Sequence, residues 1–119
     1  MTGAELIAQE RARQMEQEGW TAEHDAQHKD GSLALAAACY ALPPKKRGHK
    51  AIIVTRPCLR SEYTTEEAVY VPRLWPRSWH PDWWKPEDKD RIRQLVVAGA
   101  LIAAEIDRLQ ARSGEESNA

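Results

Sequence analysis

The stretch GWTAEHDAQHKDGSLALAAACY, residues 19–40, decides how this chain is organised. Gly19 is a typical helix terminator, because glycine accepts the left-handed backbone conformation that closes helices. Residues 21–30 show no apolar periodicity and therefore predict a loop. The Asp-Gly-Ser sequence at 30–32 then offers two capping side chains to an apolar, alanine-rich helix over 31–42. We expect this helix to be buried and closely approached by its neighbours.

The loop concentrates acids and imidazoles, which are typical ligands of a divalent metal. Glu23, Asp25 and Asp30 supply the oxygen ligands that Mg²⁺ or Mn²⁺ prefers, and His28 follows His24 by four residues. The spacing matches no closed zinc pattern. Two interpretations stay open. Either this is a solvated, charged loop whose Asp30 caps the next helix, or Glu23, Asp25, His28 and Asp30 bind a metal.

Length and charge limit the class of protein. The chain has 119 residues and a net charge of −1, so we expect one domain over 1–112 and no overall basic field that would attract nucleic acid. The polar residues 113–119 predict a disordered tail. Cys39 and Cys58 form no close-spaced pair, and no apolar run is long enough for a membrane span. We therefore expect a cytoplasmic protein with two free thiols and no membrane contact.

Residues 3–18 are rich in good helix formers and predict the first helix. Its apolar stripe is thin, because Glu10 and Gln14 continue from Ile7 at spacings of three and seven. Either the helix lies on the surface, which we favour, or Glu10 and Gln14 point into a polar interior site.

The longest helix is predicted over 87–112, where a proline and two acids form a good helix start. Apolar residues recur at spacings of three and four along 92–109, and small residues around Gly99 allow another helix to lie close. The natural partner is the helix over 31–42 or the same helix of a second subunit. We expect a homo-oligomer formed through residues 88–112.

The middle of the chain, 43–86, is expected to insert into or wrap around this small helical bundle. Short β-branched runs predict a possible β-hairpin over 51–71 with a polar loop of roughly a dozen residues. The basic run at 45–50 is interpreted as a solvated linker, with phosphate contact as the alternative. Four of the five tryptophans lie in the proline-rich segment 74–86, whose prolines exclude a regular helix or central strand. They either cover the core, which we favour, or stack a ligand ring.

Four motifs along the chain carry a resemblance. They are Glu10-Arg11-x-Arg13-Gln14, Gly19-Trp20-x-x-Glu23-His24-Asp25-x-x-His28-x-Asp30-Gly31-x-Leu33-Ala34, Trp83-Trp84-Lys85-Pro86 and Leu95-Val96-x-Ala98-Gly99-Ala100-Leu101-Ile102-x-Ala104-Glu105-Ile106-x-Arg108-Leu109. Together they resemble a family of small uncharacterised phage and prophage proteins, over most of the chain outside 43–74. Membership of that family implies no particular activity.

More remotely, the order of elements resembles the MazG-like all-α nucleoside triphosphate pyrophosphohydrolases. This resemblance implies Mg²⁺ held by acidic pairs on two facing helices and cleavage between the α- and β-phosphates of a nucleotide. The helix over 31–42 lacks the acids of the Glu-Glu-x-x-Glu motif, and only the Glu-x-x-Asp at 87–90 mimics the second motif. A metal would instead use Glu10, the 23–30 cluster or Glu105.

Three functions stay open. The first, which we favour, is a metal-dependent nucleotide pyrophosphohydrolase with Mg or Mn as cofactor. Its candidate catalytic residues are Glu10, Glu23, Asp25 and Glu105. The second is a non-catalytic nucleotide-binding protein, for instance a phage protein that sequesters a defence signal. The candidate ligand-binding residues are Trp20, Tyr40, Arg77, Trp83, Trp84 and Lys85. The third is a helical protein-interaction module.

Overall fold

The computed structural model describes residues 1–19 and 30–118, with side chains as far as Arg112. Its principal elements are the helices α1 (Gly3–Gln17), α2 (Ser32–Ala41) and α3 (Arg91–Asn118) and the strands β1 (Lys50–Pro57) and β2 (Thr64–Val71). Short 3₁₀ turns lie at Pro44–Lys46, Pro81–Trp83 and Pro86–Asp88. The predicted class, mainly α with a small two-stranded sheet, is confirmed.

Helix α1 begins with a capping box, in which Thr2 and Glu5 each accept a hydrogen bond from the other's backbone N–H. The favoured surface placement of this helix is wrong, because Glu10 is only 2% exposed and Gln14 only 1% exposed. Burial of the Glu10 carboxylate is tolerated because its charge is neutralised by arginine, including one from α3.

Helix α2 packs its small side chains against α3, and its predicted burial is confirmed at Leu33, Ala36 and Ala37. The backbone carbonyls at its C-terminus accept hydrogen bonds from two arginines, Arg47 and Arg91. These bonds satisfy carbonyl groups that have no partner within the helix. The interpretation of the basic run as a solvated linker is therefore wrong for Arg47, which is buried.

Helix α3 is displaced toward the C-terminus relative to the predicted span of 87–112. Lys89 has an extended backbone that separates the turn at Pro86–Asp88 from the helix, and the Asp90 carboxylate accepts a hydrogen bond from the Arg93 N–H. The helix continues to Asn118, where alanine, arginine and glutamate are good helix formers and no proline intervenes. Within the described ranges, no helix is both long and apolar enough to span a membrane.

Gly99 lies where α1 and α3 meet. A Cβ atom at Gly99 would lie 2.5 Å from Cδ1 of Ile7, closer than a real contact permits. The predicted close approach of another helix is thus confirmed, although at this point the neighbour is α1.

The predicted hairpin is also confirmed. Strands β1 and β2 are antiparallel, with Lys50 opposite Val71 and Pro57 opposite Thr64. The loop is shorter than expected because both strands extend toward the turn. Arg56 on β1 donates to both carboxylate oxygens of Asp82 at 2.7 and 2.8 Å, which ties the hairpin to the tryptophan-rich segment.

That segment supplies much of the core. Trp75 and Trp79 are buried with their rings edge to face at 5.6 Å, and Trp84 packs against Trp75 and Tyr40. The favoured packing interpretation is confirmed for these rings. Trp83 differs, because its side chain is 56% exposed.

Candidate ligand-binding cavity

A cavity of about 490 Å³ lies between α1, α3 and the tryptophan-rich segment. Its volume falls in the range of small-molecule sites in proteins. Apolar side chains from α2 and α3, namely Leu33, Val97 and Leu101, form part of its lining. The rest consists of an aromatic wall, a polar wall on α1 and a group of cationic side chains.

The aromatic wall is made by Tyr40 together with Trp75, Trp79 and Trp83. Trp79 and Trp83 stand edge to face at 5.8 Å, so the rings form a continuous surface from the core outward. The 3₁₀ turn that positions Trp83 begins at Pro81, a residue suited to the first position of a helical turn. The wall therefore ends in the indole ring of Trp83, which is more than half exposed.

The polar wall is organised around the Glu10 carboxylate. Its Oε1 accepts hydrogen bonds from Arg13 Nε at 2.6 Å and from Arg93 Nη2 at 2.5 Å. Its Oε2 accepts from Arg13 Nη2 at 3.1 Å and from Gln14 Nε2 at 3.3 Å. Burial would raise the pKa of Glu10, but the hydrogen bonds and charges of Arg13 and Arg93 outweigh it and hold the pKa below its usual value. Glu10 is therefore ionised at neutral pH, with both oxygens engaged.

Buried polar atoms of Gln14 and Trp75, two of the lining residues, are not satisfied by the part of the fold that the structure describes. Gln14 Oε1 is an acceptor, Trp75 Nε1 carries a donor proton, and neither has a hydrogen-bond partner among the residues that the structure describes. Such atoms are rare in folded proteins and usually indicate a strained site, an unseen water or a ligand.

Among the described residues, the charged side chains that line the cavity are three cations and two acids, namely Arg13, Lys85, Lys89, Glu10 and Glu18. Arg13 bridges both acids, because it also donates to Glu18 Oε1 at 2.9 Å. Lys89 is held by the Asp88 carboxylate at 2.6 Å. Lys85 forms no ion pair within the described ranges, and it is the cation most available to an anionic ligand.

The structure brings together four of the predicted site residues, since Glu10, Tyr40, Trp83 and Lys85 all line the cavity. Trp84 lies behind the wall, where its ring faces the Arg47 guanidinium at 5.0 Å.

Arg77 and Glu105 are not among the lining residues. Glu105 instead accepts a hydrogen bond from Arg108 Nε at 2.5 Å on α3. It therefore does not converge with Glu10 on this cavity.

Asp30 acts as a local hydrogen-bond acceptor. Its carboxylate accepts from Ser78 Oγ at 2.6 Å and from the Ser32 N–H at 3.1 Å, and these bonds lower the pKa of Asp30 to about 2. This geometry matches the helix-capping interpretation.

The other proposed metal ligands, Glu23, Asp25 and His28, lie outside the described residues, as does Trp20. Over residues 1–19 and the described part from Asp30 onward, no group of three or more His, Cys, Asp or Glu side chains could hold a metal ion. In that part of the chain, the carboxylates of Glu10 and Asp30 are both occupied by hydrogen-bond donors.

Sequence reasoning did not assign site roles to Arg13, Trp75, Trp79, Lys89 and Arg93. The spacing of Glu10, Arg13 and Gln14 at three and four residues was a usable signal, because such residues share one face of a helix. Arg93 gave no signal of this kind, because it reaches Glu10 from a different helix.

In comparisons with known proteins, no family model, curated protein or solved structure matches the chain. The resemblances to phage proteins and to MazG-like enzymes stay predictions.

Proposed function

We propose that this protein binds a nucleotide-like ligand, with a planar ring and an anionic group, in the cavity next to Trp83. The observation that carries the proposal is the position of an exposed indole ring beside Lys85, a lysine with no ion-pair partner in the described part of the chain, at one cavity.

The two parts of such a ligand match the two kinds of wall. Stacking of a base on an aromatic side chain contributes about 1–3 kcal/mol and tolerates any base, because every base has a π-face. Lysine binds phosphate as a point charge. Lys85, which has no ion-pair partner among the described residues, favours an anion over a neutral or cationic compound at this cavity.

Binding without turnover fits the polar wall better than catalysis by Glu10. Both oxygens of Glu10 accept hydrogen bonds from side chains of the protein, so neither is free to hold a metal or activate water. The metal-dependent pyrophosphohydrolase hypothesis rests instead on Glu23, Asp25 and His28. The experiment described next tests it by adding Mn²⁺.

The test is to incubate the pure protein with a pool of nucleoside mono- and triphosphates, with and without Mn²⁺. Free and protein-bound fractions are separated by filtration, and both are analysed by anion-exchange chromatography. We expect one nucleotide to be retained and released unchanged. Trp83→Ala and Lys85→Ala should each weaken its binding roughly tenfold, whereas Lys46→Ala, at an exposed lysine away from the cavity, should leave it unchanged.

Other results have defined meanings. A monophosphate that accumulates with time only in Mn²⁺ would support the pyrophosphohydrolase, and Glu23→Gln or Asp25→Asn should then abolish it. If every nucleotide passes through the filter intact, the binding proposal is wrong.

A second candidate function, self-association, is favoured by the outer face of α3. Ile92, Leu95, Ile102, Ile106 and Leu109 are each about half exposed or more. They recur at spacings of three, seven, four and three, so they share one face of the helix and suit packing against a second helix. We propose that a second copy of this chain covers this face, since a patch of this kind carries no charge that would repel its own copy.

Sedimentation velocity tests this second candidate. We expect the wild type to dimerise and Ile106→Glu to be monomeric. Ile53→Glu is the matched control, because Ile53 is exposed on the hairpin and the variant should still dimerise. A monomeric wild type, or a dimer that survives Ile106→Glu, would exclude the α3 interface.

A further inference from the structure

The strongest indication of what the cavity selects is the amide of Gln14. This side chain is 1% exposed and lines the cavity, yet its Oε1 has no hydrogen-bond partner among the described residues. Burying an acceptor without a partner is unfavourable, so a well-packed helix would be expected to carry an apolar residue here.

The orientation of the Gln14 amide follows from its neighbour. An ionised carboxylate only accepts hydrogen bonds, so the amide nitrogen of Gln14 must face Glu10 Oε2, at 3.3 Å. Glu10 is held in turn by Arg13 and Arg93. The contacts from the arginines to Glu10 and from Glu10 to Gln14 leave Oε1 as the amide atom that has no hydrogen-bond partner in the described part of the chain.

A second lining residue, Trp75, carries an unpaired atom that is a hydrogen-bond donor and not an acceptor. The Trp75 indole nitrogen is buried and, within the described part of the chain, donates to nothing. Among the described residues, the lining therefore includes an unpaired acceptor on Gln14 and an unpaired donor on Trp75. A ligand that carries a donor and an acceptor on one edge would satisfy both.

We propose that Gln14 Oε1 accepts a hydrogen bond from an N–H group on the ring edge of the ligand, and that Trp75 Nε1–H donates to an acceptor on the same edge. This inference rests on the proposed nucleotide-like ligand and specifies its ring, which is a heteroaromatic base with an amino or ring N–H donor beside a ring nitrogen or carbonyl acceptor. Glu10 is a positioning residue that fixes the amide.

Base edges supply this pattern in a form that can be removed one atom at a time. Adenine carries an exocyclic amino donor next to a ring nitrogen acceptor, and unsubstituted purine lacks that donor while keeping its size and π-face. A site built to bond an N–H group discriminates against the analogue without it, because the buried acceptor is left unpaired.

The experiment measures dissociation constants by calorimetry. The four matched ligands are adenosine, adenosine monophosphate, purine riboside and purine riboside monophosphate. The guanine, cytosine and uracil nucleotides serve as further probes whose bases carry a donor. We expect donor-bearing rings to bind roughly 10–100-fold more tightly than the matched ring without the donor. Presence of the phosphate should change affinity separately, through Lys85.

Gln14→Leu is the critical variant, and Gln9→Leu, on the exposed side of the same helix, is its matched control. In Gln14→Leu the preference for the donor should disappear, while the thermal stability of the ligand-free protein should not fall, since an unpaired buried acceptor has been removed. Gln9→Leu should keep the preference. Glu10→Gln, which frees the amide to rotate, should reduce it.

The outcomes separate this inference from the proposed function. Nucleotides that bind with no preference for the donor would overturn the role of Gln14 and leave nucleotide binding intact. A donor preference found together with equal affinities for the ligands with and without phosphate would support Gln14 and contradict the role of Lys85. Failure of every ligand to bind would overturn both. Loss of folding stability in Gln14→Leu, with the donor preference retained, would show that Gln14 has only a structural role.

Discussion

Glu10 is an ionised carboxylate almost removed from water, and its environment explains why burial does not neutralise it. The desolvation that would raise its pKa is exceeded by the hydrogen bonds and charges of Arg13 and Arg93. A group whose pKa is lower in the folded state than in the unfolded state stabilises the fold when it is ionised. Glu10 is thus both a structural ion pair and the support of Gln14.

This shift predicts a specific dependence of stability on pH. The contribution of Glu10 should be fully present above its unfolded pKa of about 4.5 and lost as the pH falls through the lower folded value. At pH 7, Glu10→Gln should cost about 1–3 kcal/mol, because it leaves charged donors facing a neutral acceptor. Urea unfolding between pH 7 and pH 3 should show a smaller acid-induced loss in Glu10→Gln than in the wild type.

The control on the same helix is Glu16→Gln, which is exposed and should change the free energy of unfolding at pH 7 by less than about 0.5 kcal/mol. If Glu10→Gln and the wild type lose stability in parallel on acidification, the arginines do not hold Glu10 in its charged form.

At the scale of the elements, the C-terminus of α2 depends on side chains from outside the helix. Arg47 donates to the carbonyls of Cys39 and Tyr40 and to Gln94 Oε1, where burial and the nearby Arg91 lower the pKa of its guanidinium. The helix dipole favours cations at this end. These contacts offset the cost of burying the charge.

We predict that Arg47→Met lowers the free energy of unfolding by about 2–3 kcal/mol, because buried carbonyls then lose their charged donor. Lys46→Met, at an exposed position next to it, should change stability by less than about 0.5 kcal/mol. Guanidinium chloride unfolding monitored by circular dichroism measures both. Equal effects of the two variants would mean that Arg47 only contributes surface charge.

The crossing of α1 and α3 gives a second prediction at this scale. Gly99→Ala should raise the free energy of unfolding by up to about 1 kcal/mol through helix propensity. The new methyl group would, however, lie 2.5 Å from Ile7, and overpacking of this kind costs about 1–3 kcal/mol. We expect a net loss of stability in the wild-type background and a net gain in an Ile7→Ala background. A double-mutant cycle by thermal unfolding provides the measurement, and additive effects would show that the helices do not meet at Gly99.

For the molecule as a whole, the tryptophan-rich segment connects the hairpin to the helices. Trp75 packs among α2, α3 and the other rings, and its carbonyl accepts a hydrogen bond from Lys50 at 2.8 Å. Trp83, four residues after Trp79, remains more than half exposed. The same segment thus supplies both core and candidate ligand contact.

We predict that Trp75→Leu destabilises the fold by about 3 kcal/mol or more, as expected for a large buried ring. Trp83→Leu should change the free energy of unfolding by less than about 1 kcal/mol and weaken only ligand binding. Chemical unfolding measures the first effect and calorimetric titration with nucleotide the second. A large stability loss in Trp83→Leu would place that ring in the core.

Local chemistry in the sequence was sufficient for the order and approximate positions of the helices, the hairpin and the tryptophan segment. Capping residues, the three-and-four periodicity of α3, β-branched runs and proline all act on neighbouring residues, so a linear pattern records them. The errors arose where distant residues compensate one another. Glu10 and Gln14 looked too polar for the interior, and Arg47 looked solvated.

The sequence by itself therefore determined a mainly helical chain with a hairpin and an aromatic segment. Only the tertiary structure decided that Arg93 neutralises Glu10, that Arg47 caps α2, and that Gln14, Trp83 and Lys85 line one cavity. The physical reason is that burial of a charge is favourable or unfavourable according to its partners in space. Those partners come from helices and turns far apart in the chain, where no periodic pattern connects them.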